Sequence, residues 1–149
     1  MFGLVLISHG AMAEGVLDTC GLFFPDGLPQ TKALGLGQDD SAEEFEEKIE
    51  QAIKEVDTGN GVLVLCDLLG GTPANCSRRI AMRLEREDVQ FVAGFNLAVV
   101  LDALGARFTA EHISEIDISQ LIETGNQGIV SLNQQLAQEN INTEEDFFD

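Results

Sequence analysis

Bases are scarce in this chain: 8 lysines and arginines stand against 26 aspartates and glutamates, a formal net charge of −18. A surface of that sign repels nucleic acid and anionic membranes and favours encounter with basic partners. Cysteine is scarce as well. Cys20, Cys66 and Cys76 form no C-x-x-C pair, and an odd, unpatterned set argues against a disulfide framework or a zinc site. They read as reduced packing cysteines in a cytosolic protein. Long apolar runs are missing, so no stretch is a candidate membrane span. The N-terminal apolar run passes straight into Ser8-His9 without a positive leader segment or a cleavage site. The expectation is a soluble chain with no export signal.

What is present fits one domain. The 149 residues suffice to bury a substantial core, and 44% apolar with 23% charged residues is an ordinary globular balance. Phe2 to Ile7 is a short apolar run, the pattern of a strand buried on both faces, and Gly61 to Cys66 is another. Thr31 to Leu36 reads as a weaker strand and Val89 to Phe95 as a fourth strand. Helical spacing covers Ala11 to Phe24, ending at the turn Pro25-Asp26-Gly27. Ser41-Ala42-Glu43-Glu44 is a capping box, opening a helix that buries Phe45, Ile49, Ala52, Ile53 and Val56. Thr72 as N-cap with Pro73 in the first turn predicts a helix to about Leu84. Leu97 to Leu104 and Ile118 to Thr124 read as short helices, and Gly128 to Leu132 as a short last strand. Residues 133–149 form an acidic segment, a frayed helix or tail. Strands alternating with helices require right-handed crossovers. The expected fold is therefore α/β: a doubly wound, mainly parallel sheet with helices on both faces.

In the commoner strand order of this class, strand 1 lies between strands 2 and 3, and the winding reverses between 1 and 3. The loops leaving those two strands diverge and open a crevice. His9 ends strand 1 and Asp67 ends strand 3. A carboxylate that accepts a hydrogen bond from one imidazole N–H fixes the tautomer and leaves the other nitrogen free as base or nucleophile. Gly70-Gly71-Thr72 supplies a complementary half. The glycines allow close backbone approach, and the helix they open presents unpaired amides to an anion such as a phosphoryl group. Gly10 and the amides opening the first helix add to that anion site. No lysine accompanies the glycines, so this is not a P-loop. His112, beside Glu111 in a polar stretch, reads as a surface residue.

These segments resemble the enzyme IIA domain of the mannose-type family of the bacterial sugar phosphotransferase system. Gly3-Leu4-Val5-Leu6-Ile7-Ser8-His9-Gly10 with Ala13-Glu14-Gly15 looks like the family's start, and the stretch from Gly61 through Asp67-Leu68-Leu69-Gly70-Gly71-Thr72-Pro73-Ala74-Asn75 like its second block. Val92-Ala93-Gly94-Phe95-Asn96-Leu97 resembles a third. The likeness covers residues 1–132 and leaves 133–149 as the acidic segment. It implies a phosphocarrier in which His9 takes a phosphoryl group from the histidine-containing phosphocarrier protein and passes it to an enzyme IIB component for sugar uptake. Asp67 would orient His9, while Gly10, Gly70, Gly71 and Thr72 hold the phosphoryl group, with no metal and no cofactor. The resemblance also implies a cytoplasmic homodimer that exchanges its last strand, here Gly128 to Leu132, and meets the membrane only through the permease complex. No linker or fused IIB domain follows, so the IIA unit is expected as a separate polypeptide.

Four other readings compete. The phosphoryl donor subunit of dihydroxyacetone kinases shares the fold and the histidine, but its second motif lacks this Gly-Gly-Thr-Pro stretch. A response-regulator receiver needs an acidic pair ending strand 1, where this chain has Ser8-His9. A hydrolase with a His-Asp pair lacks a G-x-S-x-G elbow. A non-catalytic anion-binding module would need only Gly70-Gly71, and loss of transfer on changing His9 separates it from the carrier.

Overall fold

The computed structural model describes residues 1–148. Four strands, β1 (Gly3–His9), β2 (Thr31–Leu36), β3 (Val62–Cys66) and β4 (Val89–Ala93), form one parallel sheet in the order β2-β1-β3-β4. Between and after them run α1 (Met12–Cys20), α2 (Ala42–Val56), α3 (Thr72–Leu84), α4 (Leu97–Ala106), α5 (Ile118–Gln127) and α6 (Leu132–Phe148). Successive side chains of a strand point to opposite faces, and this alternation builds two cores. Leu4, Leu6, Leu63 and Leu65 pack under α1, α4 and α5, whereas Val5, Ile7, Val62 and Val64 pack under α2 and α3. The doubly wound expectation holds, with β1 and β3 side by side at the reversal.

Several expected boundaries shift for identifiable reasons. Strand β1 runs on to His9 because β2 continues beside it, His9 pairing with Leu36. Helix α1 stops at Cys20, where the Gly21 amide donates to both Leu17 and Asp18 and tightens the last turn. Helix α3 begins at Thr72, but its N-cap is Gly71, not Thr72; Pro73 is the second residue, where its missing N–H costs nothing. Helix α5 continues past Thr124 to Gln127 because Gly125 lets it approach α4: a Cβ there would stand 2.4 Å from Val99 Cγ2.

The last strand expected at Gly128 to Leu132 does not form among the described residues. Gly128 closes α5 in right-handed helical geometry, residues 129–131 are irregular and exposed, and Leu132 already belongs to α6. A strand requires an edge to pair with, and residues 129–131 reach none. The edge of β4 away from β3 stays unpaired among the described residues. The acidic segment is a helix rather than a tail: the Ser131 hydroxyl accepts the Gln134 amide at 3.2 Å, and α6 is solvent-exposed from Leu132 to Phe147. Asp149 lies outside the described residues.

Candidate functional site

The crevice at the C-terminal rim begins with a register. Ile7 of β1 pairs with Cys66 of β3, and the Asp67 amide donates to the Ile7 carbonyl at 3.1 Å. Asp67 thus sits one step past the ladder and turns its carboxylate across to the end of β1. Its Oδ2 accepts two hydrogen bonds from one residue, the His9 backbone N–H at 2.9 Å and ring Nδ1 at 2.9 Å. Backbone and ring are gripped together, so the imidazole has little freedom to swing. Because a carboxylate oxygen accepts, Nδ1 carries the hydrogen and Nε2 presents its lone pair.

Nε2 faces Gly71. A Cβ placed on Gly71 would lie 2.8 Å from both Cε1 and Nε2 of His9, and φ there is +93°, a region that suits only glycine. The ring therefore lies against bare backbone at the start of α3. The amides of that first turn have no intrahelical acceptor, and the helix dipole adds partial positive charge. Gly70 and Gly71 are exposed and Thr72 is half-buried. His9 itself is open to solvent, with 47% of its side chain exposed against 9% for Asp67. A ring nitrogen with a free lone pair and the first-turn amides of α3 thus share one solvent-facing spot, while the Asp67 carboxylate stays inside.

Gly10 contributes differently from its neighbours. Its amide is committed to the Leu36 carbonyl at 2.8 Å, and φ of +54° turns the chain sharply from β1 into α1. Gly35 on β2 makes room for that turn, since a Cβ there would come within 2.0 Å of the Gly10 carbonyl oxygen. Ser8, fully buried, is a residue the sequence reading passed over. Its hydroxyl accepts the Ala13 amide at 2.8 Å and donates to the Gly10 carbonyl at 3.3 Å, binding the entry of α1 to the strand that carries His9. A hydroxyl residue beside the strand-terminal histidine was the available signal. The Gly94 and Phe95 amides donate to the Cys66 carbonyl at 2.8 and 3.2 Å and hold the third motif against the Asp67 turn. Asn96 caps α4 through the Val99 amide and donates to Gly125 in α5.

Two further residues fall outside the reacting group. Burial and then the adjacent Asp67 charge push the Cys66 thiol up, which keeps it protonated and suits a packing role. All three cysteines are free and buried. His112 is half-buried rather than an open surface residue, because it caps a short 3-10 turn: its Nδ1 accepts the Ser114 amide at 3.1 Å, and Glu115 accepts the His112 amide at 2.9 Å.

A doubly wound α/β domain with a histidine held by a carboxylate at the topological switch point defines a structural class. The chain belongs to one family of that class, the EIIA-man family described as the PTS system fructose IIA component, whose family model matches residues 3–120. It is 29% identical to the mannose-specific EIIAB component of Escherichia coli K12 over 129 residues, 87% of this chain and 39% of that protein. The chain thus spans well under half the length of that relative. It is 28% identical to the fructose-specific EIIA component of Bacillus subtilis over 123 residues, 79% of this chain and 77% of that one. Among solved structures it resembles the mannose/sorbose-specific IIA subunit from Enterococcus faecalis, with TM-score 0.73, 30% identity, and 88% and 94% of the two chains covered. The IIA protein associated with the fucose operon of Streptococcus pneumoniae superposes with TM-score 0.78 at 26% identity, covering 90% and 95%. No described helix is long and apolar enough to cross a membrane.

Proposed function

We propose that the protein is a histidine phosphocarrier that takes a phosphoryl group onto His9 Nε2 and hands it on. The donor is the phosphorylated histidine-containing phosphocarrier protein. The Nε2 lone pair attacks phosphorus in line with the donor's P–N bond; a new N–P bond forms as the old one breaks, and its electron pair returns to the donor nitrogen. No proton needs to move, because Nδ1–H remains on Asp67 and the carboxylate offsets the positive charge of the phosphorylated ring. The amides of Gly71 and Thr72, with Gly70 and the Thr72 hydroxyl beside them, receive the phosphoryl oxygens, so catalysis is positioning plus electrostatics. Gly10 supports the site through the turn that places α1. The same events in reverse order of partners transfer the group to an enzyme IIB component, for uptake of a sugar through a membrane permease. The observation that carries this reading is the pair of 2.9 Å bonds from His9 to one Asp67 oxygen, with Nε2 laid against Gly71.

The partners follow from charge. A surface of net charge −18 suits docking faces that are basic. Leu68 and Leu69, 56% and 65% exposed in the loop between Asp67 and Gly70, would give such a partner an apolar contact. Both transfers would take place in the cytoplasm. The chain would work as a homodimer in which residues 128–132 pair with the open β4 edge of a second copy.

Intact-mass spectrometry after incubation with phosphoenolpyruvate, enzyme I and the carrier protein tests the reaction. The expected result is one acid-labile phosphoryl group, absent in His9→Ala and formed about a hundredfold more slowly in Asp67→Ala. Subsequent loss of that group to a IIB protein, and not to the dihydroxyacetone-binding subunit of a dihydroxyacetone kinase, completes the assignment. No added mass in wild type would overturn it in favour of an anion-binding module.

A further inference from the structure

At the opposite end of the sheet from His9, where β1 and β2 begin, a cleft of about 380 Å³ opens between the α1–β2 connection and the end of α4. Phe23, Phe24, Leu28, Leu104 and Phe108 line it, and Arg107 belongs to its wall. Two of these aromatics face water to an unusual degree, Phe23 at 57% and Phe108 at 79% exposed, and Phe108 stacks on Phe24 with ring centroids 6.0 Å apart. Small-molecule sites have this character: concave, mostly apolar, with one or two polar groups converging.

Arg107 is the anomaly. It is only 9% exposed, yet no carboxylate among the described residues forms an ion pair with it. In a chain with 26 acidic residues and 8 basic ones, a buried cation without a counter-charge stands out. Its neighbours are neutral. Nη1 donates to Thr31 Oγ1 at 2.8 Å, Nη2 contacts the Pro29 carbonyl and, at 2.8 Å, Met1 Sδ, and the guanidinium lies 5.9 Å above the Phe2 ring. Nε is buried with no acceptor among the described residues. The carbonyl end of α4, which Arg107 caps, offers a partial charge of about half a unit. Burial pulls the guanidinium's proton affinity down, as it does for a cation without full compensation. A guanidinium has five N–H groups, so the three contacts made leave capacity for an anionic acceptor.

We propose that this cleft binds a small monocarboxylate with an aromatic or branched apolar body, the carboxylate pairing with Arg107 and the body lying against Leu28, Leu104 and the stacked Phe24–Phe108 pair. At about 30 Å³ per water-sized group the cleft holds roughly a dozen non-hydrogen atoms, the size of an aryl-substituted short-chain acid. Asp26 also lines the cleft, is exposed, and makes no ion pair with Arg107 among the described residues. Its charge sets a preference for singly over doubly charged ligands.

The test titrates 3-phenylpropionate, and separately the neutral 3-phenyl-1-propanol, into ¹⁵N-labelled protein while following amide shifts. The expected result is movement of the amides at 24–28 and 104–108, with the acid binding at least about tenfold more tightly than the alcohol. Phe108→Ala should weaken both ligands. Arg107→Gln should bring the acid down to the alcohol's affinity. Should that variant not fold, Asp26→Asn replaces it: the open position leaves the core untouched, and the acid alone should bind more tightly. Equal affinity for acid and alcohol, no response at about 10 mM acid, or a response confined to Gly70–Thr72 would each overturn the proposal, as would an acid affinity indifferent to Asp26→Asn.

Discussion

His9 is held from two sides, by Asp67 at Nδ1 and by the bare Cα of Gly71 at Nε2. The two contacts make different demands. Asp67 supplies charge and direction, whereas Gly71 supplies only the absence of a side chain. Gly71→Ala should therefore act through geometry. The added methyl overlaps the ring at 2.8 Å in a backbone conformation with φ of +93°, so the imidazole must move off the α3 amides. We expect phosphorylation of His9 to slow on the order of a hundredfold, as misplacement by about 1 Å does elsewhere, with a loss of about 1–2 kcal/mol in stability from the strained φ. Rapid-quench phosphorylation beside a urea melt separates the two effects. Gly70→Ala, with no described heavy atom within 4 Å of the new Cβ and no positive φ, keeps its amide and should slow the rate far less than Gly71→Ala. At this scale the sequence was readable in part. Strand ends located His9 and Asp67, because apolar runs stop abruptly at both. Their two-bond grip was not readable, since it depends on β1 outrunning β3 by two residues, a matter of register. The Ser8 hydroxyl escaped for a similar reason: it serves an amide five residues on, outside any capping spacing.

Helices α2 and α3 lie on one face and are joined across their exposed side by charge. Arg79 and Arg83 both reach Glu46, at 2.6 and 3.0 Å, and Arg83 also meets Glu50. Burial alone would raise Glu46, yet hydrogen bonds from the two guanidinium groups hold its carboxyl below the usual carboxylate range. Asp57 is lowered against its own burial by Arg86 and the Gly59 amide, and Asp88 is lowered chiefly by Arg86. A carboxylate with a depressed native pKa stabilises the fold above its unfolded value, and that contribution is lost as pH falls through the native one. The urea midpoint of wild type should thus drop as pH falls from about 5 to about 3. Glu46→Gln should start lower at neutral pH and fall less over the same window; parallel curves would show that the Glu46 pairs contribute nothing. Elements with a burial pattern were legible before folding: the apolar stripe of α2 stands where the sequence puts it and Ser41 accepts the Glu44 amide, but among the described residues the Glu44 side chain does not reach back to close the capping box. The segment 128–132 was not. Gly128-Ile129-Val130 has the composition of a strand, but Ser131-Leu132-Asn133-Gln134 also has the spacing of a helix start, and in the single chain the local capping bond prevails.

The whole molecule is a strongly anionic body with an open sheet edge at β4 and an exposed apolar pair, Ile129 and Val130, at 76% and 52% exposure. Edges of that kind invite pairing, while like net charge opposes the approach of a second copy. Sedimentation velocity should therefore show a dimer whose population grows as salt rises from about 20 to 300 mM, screening the repulsion. Val130→Pro, which removes an amide at an exposed position, should give a folded monomer. A wild-type monomer at all concentrations would exclude the pairing, as would a dimer indifferent to the substitution. One feature of the crevice extends beyond the single molecule. Asp67 Oδ1 is buried and meets no donor among the described residues, a standing cost of about 1–3 kcal/mol for a group of this kind. A lineage that kept the scaffold and lost the reaction would be free to exchange that carboxylate for a side chain without an orphan oxygen. On the proposed function, an acid retained at this position would mark, among duplicated copies in a genome, those still under selection to work, and its replacement the retired ones.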